Sequence, residues 1–178
     1  MRNFTLTPLT LAIAAVLITP GLSAQQTGSA GAEDEKIEQI VVTGTRVAGR
    51  SVSDTAVPID IVSAVTLERS GTTELNQALS VALPSFNFPR PGLADGTDTI
   101  RPATLRGLGP DQSLVLVNSK RRHSASLVNV NGTVGRGSSA VDLNTIPMGA
   151  VSAIEVLRDG ASAQYGSDAI AGVLNVRL

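Results

Sequence analysis

The run AIEVLRDGASAQYGSDAIAGVLNVR, residues 153–177, decides the fold of this chain. Residues 153–157 are apolar apart from one glutamate and predict a strand, which the Asp-Gly pair after it ends. Residues 161–165 predict a short helix that Gly166 stops, and residues 172–177 predict a last strand. A strand, a short helix and a second strand therefore follow one another within this one run.

The residues upstream of this run predict more short strands and helices. Residues 58–63 alternate between apolar and polar side chains, which predicts a strand, and Ser63 can cap a short helix that ends at Glu68. Residues 114–117 are continuously apolar, which predicts a strand over residues 113–117 that is covered on both faces. Further predictions are a strand over 104–106, a helix with Leu75, Ala78, Leu79 and Ala82 on one apolar face, a turn at Asn118-Ser119, and loops over 86–99 and 128–139. Short strands mixed with short helices on one small sheet predict the α+β class.

The first residues have the layout of a cleaved signal peptide over residues 1–24. Arg2 provides the basic start, an apolar run extends from Leu9 to Ile18, and small residues precede Gln25. The apolar run is shorter than the ~20 residues that a membrane-spanning helix needs. A retained N-terminal anchor is the less favoured alternative. We therefore expect an exported protein. It would be located in the outer membrane if a membrane protein holds it, and in the periplasm if none does.

The composition limits what the 178 residues can be. The absence of cysteine excludes disulfides and thiolate metal sites, and the net charge of −1 argues against a nucleic-acid partner held by a general basic field. The chain has no Trp, three Phe and one Tyr, whereas a membrane β-barrel carries aromatic girdles. A barrel of about 22 strands with about 10 residues each would also need more residues than are present. We expect one small domain and no β-barrel in this chain.

A short apolar run, EQIVVTGTR over residues 38–46, lies in a polar stretch of small residues. We expect residues 25–56 to form a flexible segment and residues 57–178 to form the folded domain. A short run in a flexible tail has no core of its own to join, but it can pair as an added strand with the sheet edge of another protein. The strand-prone residues of the run are Ile40, Val41, Val42 and Thr43.

Four segments of the chain stand in a distinctive order. They are residues 38–43, residues 104–109 with the strand at 114–117, residues 141–147, and residues 154–176. Together they resemble the plug domain of TonB-dependent outer-membrane receptors, and the first of them is similar to the TonB box. The order and spacing also match, and the last segment is the most specific.

The resemblance implies a small mixed β-sheet with short helices and long loops, held inside a barrel of about 22 strands. It implies no enzymatic activity and no cofactor. The implied partners are the C-terminal domain of TonB in its complex with ExbB and ExbD, an outer-membrane β-barrel in cis or in trans, and a nutrient ligand such as a siderophore. TonB would pull on the box through strand pairing, and the plug would rearrange to admit the ligand. The resemblance thus predicts the gating plug of a truncated or split receptor for active nutrient uptake.

The resemblance also assigns roles to residues. Ile40, Val41, Val42 and Thr43 would bind the TonB sheet edge. Arg106 and Arg158 resemble a pair of plug arginines that dock onto glutamates of the barrel wall, where a planar guanidinium can bind a carboxylate through two hydrogen bonds. The alternative is that both are ordinary surface arginines. The glycines suited to tight turns and close backbone approach are Gly107, Gly109, Gly160, Gly166 and Gly172.

Other possible sites have weaker support. The Lys-Arg-Arg-His run at residues 120–123 could bind an anion, but such a run is more often a solvated turn. His123 is the only histidine, and Asp95, Asp98 and Asp111 lack the spacing of a calcium loop. The sequence has no nucleophile elbow and no phosphate-binding loop, so a secreted enzyme has no support. The remaining alternative is a free periplasmic binding module that engages TonB or a ligand without transport.

Overall fold

The computed structural model describes residues 40–41, 43–44, 50–51, 57–87, 89–90, 92, 96–130 and 134–178, so the predicted signal peptide and most of the flexible segment lie outside it. In chain order, the strands are β1 (Ile40–Val41), β2 (Arg50–Ser51), β3 (Ile59–Ser63), β4 (Phe86–Asn87), β5 (Thr104–Leu105), β6 (Ser113–Val117), β7 (Lys120–Arg121), β8 (Ala153–Leu157) and β9 (Gly172–Arg177). The α-helices are α1 (Ala64–Glu68), α2 (Leu75–Ala82) and α3 (Ser162–Tyr165). Short 3-10 helices lie at Thr97–Thr99, Pro110–Gln112, Leu143–Thr145, Met148–Ala150 and Ser167–Ala169.

A five-stranded sheet forms the centre of the described part, in the order β3-β8-β9-β6-β7. β6 and β9 run parallel, and the other neighbouring strands run antiparallel. β9 therefore has a hydrogen-bonded neighbour on each side. This mixed sheet with its short helices confirms the predicted α+β class.

The larger apolar cluster joins one face of the sheet to α1 and α2. Ser63 caps α1, because its Oγ accepts the Thr66 N–H at 3.3 Å. Leu75, Ala78 and Leu79 are buried, as the predicted apolar face of α2 requires. The sheet residues in the same cluster are Val62, Val115, Ile154, Val156, Leu174 and Val176. Within the described ranges, no helix has both the length and the apolar character needed to cross a membrane.

The opposite face of the sheet carries a smaller apolar cluster and, beside it, polar side chains. Side chains alternate along a strand, so Glu155 and Leu157 point away from Ile154 and Val156. Glu155 lies opposite Asn175 in the β8–β9 pair. The apolar members of this face are Ile59, Leu114, Leu116, Leu157, Ala161, Ala169 and Val173.

Part of the segment predicted as loop over residues 86–99 is a strand. β4 pairs antiparallel with β5, so that Phe86 lies opposite Leu105. Both side chains are buried, and both belong to the larger apolar cluster. Periodicity does not predict β4 because two residues are too few to show an alternating pattern.

Candidate functional site

The run predicted to bind a partner lies partly within the described structure. β1 pairs antiparallel with β2, with Ile40 opposite Ser51 and Val41 opposite Arg50. Val42 falls outside the described residues. The sequence predicted a flexible tail with nothing in the chain to join, whereas the structure gives this run a strand partner within the same chain.

Thr43 connects the run to the central sheet. Its side chain is buried, its hydroxyl donates a hydrogen bond to Glu155 Oε2, and it accepts a hydrogen bond from Asn175 Nδ2 at 3.0 Å. Glu155 and Asn175 are each only 1% exposed. Together with Arg177 and Ser119, which bond to them, these residues are called the polar cluster below. Thr43 therefore lies in a buried polar site and not in a solvated tail.

The carboxylate of Glu155 is the charged centre of the polar cluster. Oε1 accepts a hydrogen bond from Arg177 Nη1 at 2.9 Å, and Oε2 accepts from Thr43 and from Asn175 Nδ2, the latter at 3.2 Å. A buried carboxylate is costly unless donors surround it. The Arg177 side chain is 43% exposed, so the ion pair reaches from the buried carboxylate to the surface.

Asn175 links the polar cluster to the turn between β6 and β7. Its Oδ1 accepts the Ser119 N–H at 2.9 Å. Asn118 and Ser119 both have positive φ, 48° and 64°, the conformation of a hairpin turn that favours Asn-Gly. The hydrogen bond that Ser119 N–H donates to Asn175 helps to hold a serine in this unfavourable position. Asn118 Oδ1 in turn accepts the Leu178 N–H at 2.9 Å, so the turn also holds the residue that follows β9.

Gly44 makes a second attachment beside Thr43. Its N–H donates to the Tyr165 hydroxyl oxygen at 3.0 Å, in an exposed position. Gly44 has φ of 80°, and a Cβ there would lie 3.4 Å from Leu157 Cδ1. The end of α3 and the face of β8 thus both contact residues 43–44.

Sequence reasoning did not assign Glu155, Asn175 and Arg177 to the candidate site. Glu155 and Asn175 are single polar residues inside the apolar strands β8 and β9, and a polar residue on a covered face needs a partner. That pattern could have marked them as a buried pair. The same pattern does not indicate Thr43, because Thr43 is 112 residues away from Glu155 along the chain.

Arg106 and Arg158, predicted to dock on a barrel, lie next to each other. Arg106 Nη1 donates to the Arg158 carbonyl oxygen at 3.4 Å and lies 3.9 Å from Asp159 Oδ1. Arg158 Nε lies 2.7 Å from Asp60 Oδ2. Both side chains are partly exposed, at 46% and 41%. The Arg106 guanidinium therefore contacts the backbone of Arg158, and each of the two guanidinium groups has a nearby carboxylate.

The five predicted turn glycines differ in how strictly their positions require glycine. Gly166 has φ of 93° and follows α3, and Gly172 has φ of 144°. A Cβ on Gly172 would lie 2.3 Å from the Leu157 carbonyl oxygen, so a side chain cannot be accommodated without moving backbone. Gly107 also has positive φ, Gly109 has φ of −63°, and a Cβ on Gly160 would lie 3.4 Å from the Ile170 carbonyl oxygen.

The basic run at residues 120–123 is used within the fold. Arg121 pairs with Asp168 and donates to the Tyr165 carbonyl oxygen. Arg122 Nη2 donates to Thr145 Oγ1 at 3.3 Å. These contacts favour the interpretation as a surface turn, because both guanidinium groups already bind oxygen atoms of the same chain.

A cleft of about 350 Å³, lined by both polar and apolar residues, lies beside this turn. Asp111, Ser113, His123 and Asp168 contribute to its lining. Ser113 Oγ is buried and has no hydrogen-bond partner among the described residues. Across the described ranges, no three His, Asp or Glu side chains are grouped so that they could hold a metal ion; Asp95 falls outside those ranges.

Comparison with known proteins relates the chain to a receptor family. Residues 51–173 match the family model described as TonB-dependent Receptor Plug Domain. The probable TonB-dependent siderophore receptor PirA of Acinetobacter baumannii is 30% identical over 153 residues, covering 86% of this chain and 20% of that protein. The ferric enterobactin receptor PirA of Pseudomonas aeruginosa is 31% identical over 160 residues, covering 84% of this chain and 21% of that protein.

A solved structure gives the same relation. It is an arginine-to-alanine variant of the ferric enterobactin receptor PfeA of Pseudomonas aeruginosa in complex with enterobactin. The match has a TM-score of 0.52 at 30% identity and covers 69% of this chain and 18% of that one. The chain spans about one fifth of the length of the curated relatives it matches.

Proposed function

This chain belongs to the TonB-dependent receptor plug domain family, and from that premise we propose that it is the gating plug of an outer-membrane receptor for active uptake of an iron-siderophore or a similar nutrient. Residues 1–24 are then the signal peptide, residues 25–56 the segment that carries the TonB box at 38–45, and residues 57–178 the plug. The names of the two relatives, both siderophore receptors, support this class of ligand. The plug itself catalyses no reaction.

One observation carries the proposal: the run that would bind TonB is attached to the sheet of the plug through a buried hydroxyl. A plug that is opened by pulling needs a handle connected to the part that must move. Thr43 supports this, because it lies at the end of the handle and bonds to Glu155 and Asn175 in the middle of β8 and β9.

The TonB C-terminal domain would capture the box by strand pairing. Ile40 and Val41 already form a strand with Arg50 and Ser51. Capture would therefore replace one strand partner by another, and less backbone entropy would be lost than in ordering a free tail.

Arg106 and Arg158 are the residues that we propose contact the barrel wall, whether the barrel is in cis or in trans. Their present partners are Asp159 and Asp60. Ion pairs at this exposure contribute about 0–1 kcal/mol, so exchanging them for carboxylates of a barrel would cost little. Arginine suits the role because its guanidinium can bind a carboxylate through two parallel hydrogen bonds.

Binding of the full chain to the TonB C-terminal domain tests the proposal. Val42→Pro removes one N–H from the box and fixes its φ, so that it can no longer donate to a paired strand. We expect the Kd measured by isothermal titration calorimetry to rise about tenfold or more. The domain should stay folded by far-UV circular dichroism, because the five-stranded sheet begins at Ile59 and does not include the box.

Val47→Pro is the matched control, since it makes the same substitution outside residues 38–45. It should bind TonB as the parent does. Equal affinity of Val42→Pro and the parent would count against strand capture of the box. An equal loss of affinity in both variants would mean that binding is not confined to residues 38–45.

Cell fractionation with an antibody to residues 57–178 tests the location. We expect the antigen in the outer-membrane fraction, as a plug inside a barrel requires. Antigen in the soluble periplasmic fraction would instead favour a free binding module that engages TonB or a ligand without transport.

A further inference from the structure

We propose that Thr43 is a releasable latch: its hydroxyl holds residues 43–44 against the sheet, yet it can leave without stranding the buried groups that it contacts. The donors and acceptors of the polar cluster are distributed so that the groups that remain can satisfy one another. The latch extends the proposed function, which requires only that the box can be captured.

The amide nitrogen of Asn175 faces more acceptors than it has hydrogens. Nδ2 lies 3.0 Å from Thr43 Oγ1, 3.2 Å from Glu155 Oε2 and 3.3 Å from Ser119 Oγ. A side-chain amide carries two N–H hydrogens, so one of these contacts is shared or unfilled while Thr43 is in place. Once Thr43 leaves, two hydrogens remain for two acceptors. Asn175 therefore stays fully bonded without the latch.

Glu155 also keeps partners when Thr43 leaves. Oε1 retains Arg177 Nη1 at 2.9 Å, and Oε2 retains the Asn175 amide. A buried carboxylate that lost all its donors would be strongly destabilising, but this one loses one donor of three. Release thus removes a charge-assisted hydrogen bond and does not leave an unpaired buried charge.

The sheet does not depend on the latch for its own pairing. β8 and β9 are joined by a ladder that runs from Ala153 opposite Arg177 to Leu157 opposite Val173. The Gly44 N–H bond to Tyr165 is exposed, so water can replace it. The part that leaves is residues 43–44, and the part that stays is the sheet with its Glu155–Asn175 pair.

Native-state hydrogen exchange of the full chain, followed by NMR, tests the latch in the absence of any partner. Thr43→Ala removes the hydroxyl and leaves room for water beside Glu155, Thr43→Val removes it at nearly constant volume, and Thr43→Ser retains it. We expect protection of the Gly44 amide to fall about tenfold or more in the alanine and valine variants, as loss of a hydrogen bond to a charged group implies. The serine variant should keep the protection of the parent, and β8 and β9 amides should exchange as in the parent in all three.

Several outcomes would overturn the latch. Unchanged Gly44 protection in Thr43→Ala would mean that the hydroxyl holds nothing. A parallel loss of protection in β8 and β9, or failure of the alanine variant to fold, would make Thr43 part of the core. Loss of Gly44 protection in Thr43→Val alone would mean that the added methyl group disturbs the site, and that the missing hydroxyl does not. Hydrogen exchange at Gly44 is measured without TonB, so it tests the latch alone. The affinity for TonB tests the proposed function, and either result can therefore be negative without the other.

Discussion

Replacing Gly172 by alanine should destabilise the domain more than most single substitutions do. Gly172 is the first residue of β9 and has φ of 144°, which residues with a Cβ rarely adopt. A Cβ would lie 2.3 Å from the Leu157 carbonyl oxygen and 3.1 Å from Leu105 Cδ1. The first of these atoms belongs to the backbone of the neighbouring strand. It cannot move away without disturbing the end of the β8–β9 ladder.

Two costs set the size of the effect. Backbone held in a sparsely populated region costs about 1–3 kcal/mol, and forcing an extra carbon into a filled site costs about 1–3 kcal/mol. We therefore expect Gly172→Ala to lower the free energy of unfolding by about 3 kcal/mol or more. That is a large fraction of the ~5–15 kcal/mol by which a folded domain is stable.

Urea denaturation followed by far-UV circular dichroism measures this loss, since the chain has no Trp and only one Tyr for fluorescence. Gly149→Ala is the matched control. Nothing lies within 4 Å of the position that its Cβ would take. The free energy of unfolding of this variant should therefore differ from that of the parent by no more than about 0.5 kcal/mol. If Gly172→Ala and the parent unfold at the same urea concentration, the close approach to Leu157 does not require glycine at this position.

Three further substitutions, and Val81→Ala as a control for one of them, test local parts of the fold by the same urea measurement. Ser119→Gly should raise stability by about 1 kcal/mol, because Ser119 has φ of 64° in a turn that favours glycine; a lower midpoint would contradict this. Leu79→Ala should lower the free energy of unfolding by about 2–5 kcal/mol, because the side chain is fully buried. Val81→Ala, on the exposed side of α2, should leave it nearly unchanged. Ser63→Ala should cost about 1 kcal/mol through loss of the α1 cap, and an unchanged midpoint would mean that the cap contributes nothing.

Local patterns were sufficient to predict most of the sheet and the longest helix. The stripe of Leu75, Ala78 and Leu79 predicts α2 because helical spacing alone places these residues on one buried face. The continuous apolar run of β6 predicts a strand covered on both sides, and four of its five residues are buried. In both cases the information lies within a few neighbouring residues, so one sequence suffices.

The candidate site could be predicted only in part, because its contacts are long-range. The apolar run at residues 38–46 marks a strand-prone segment, but not the residues on which it rests. Asn175 is 132 residues from Thr43 along the chain, and no pattern in a single sequence pairs residues so far apart. The proximity of Arg106 to Arg158, which are 52 residues apart, depends in the same way on how the elements between them fold.

The position of β9 in the sheet determines when the sheet can form. β9 lies between β8 and β6 although it follows both in the chain, so β3 with β8 and β6 with β7 remain two unconnected pairs until residues 172–177 have been synthesised. Chains grow from the N-terminus, and pairings between distant residues form slowly because they close long loops. A newly made chain therefore completes its central sheet only after Arg177 has been added, in one late step that joins both pairs at once.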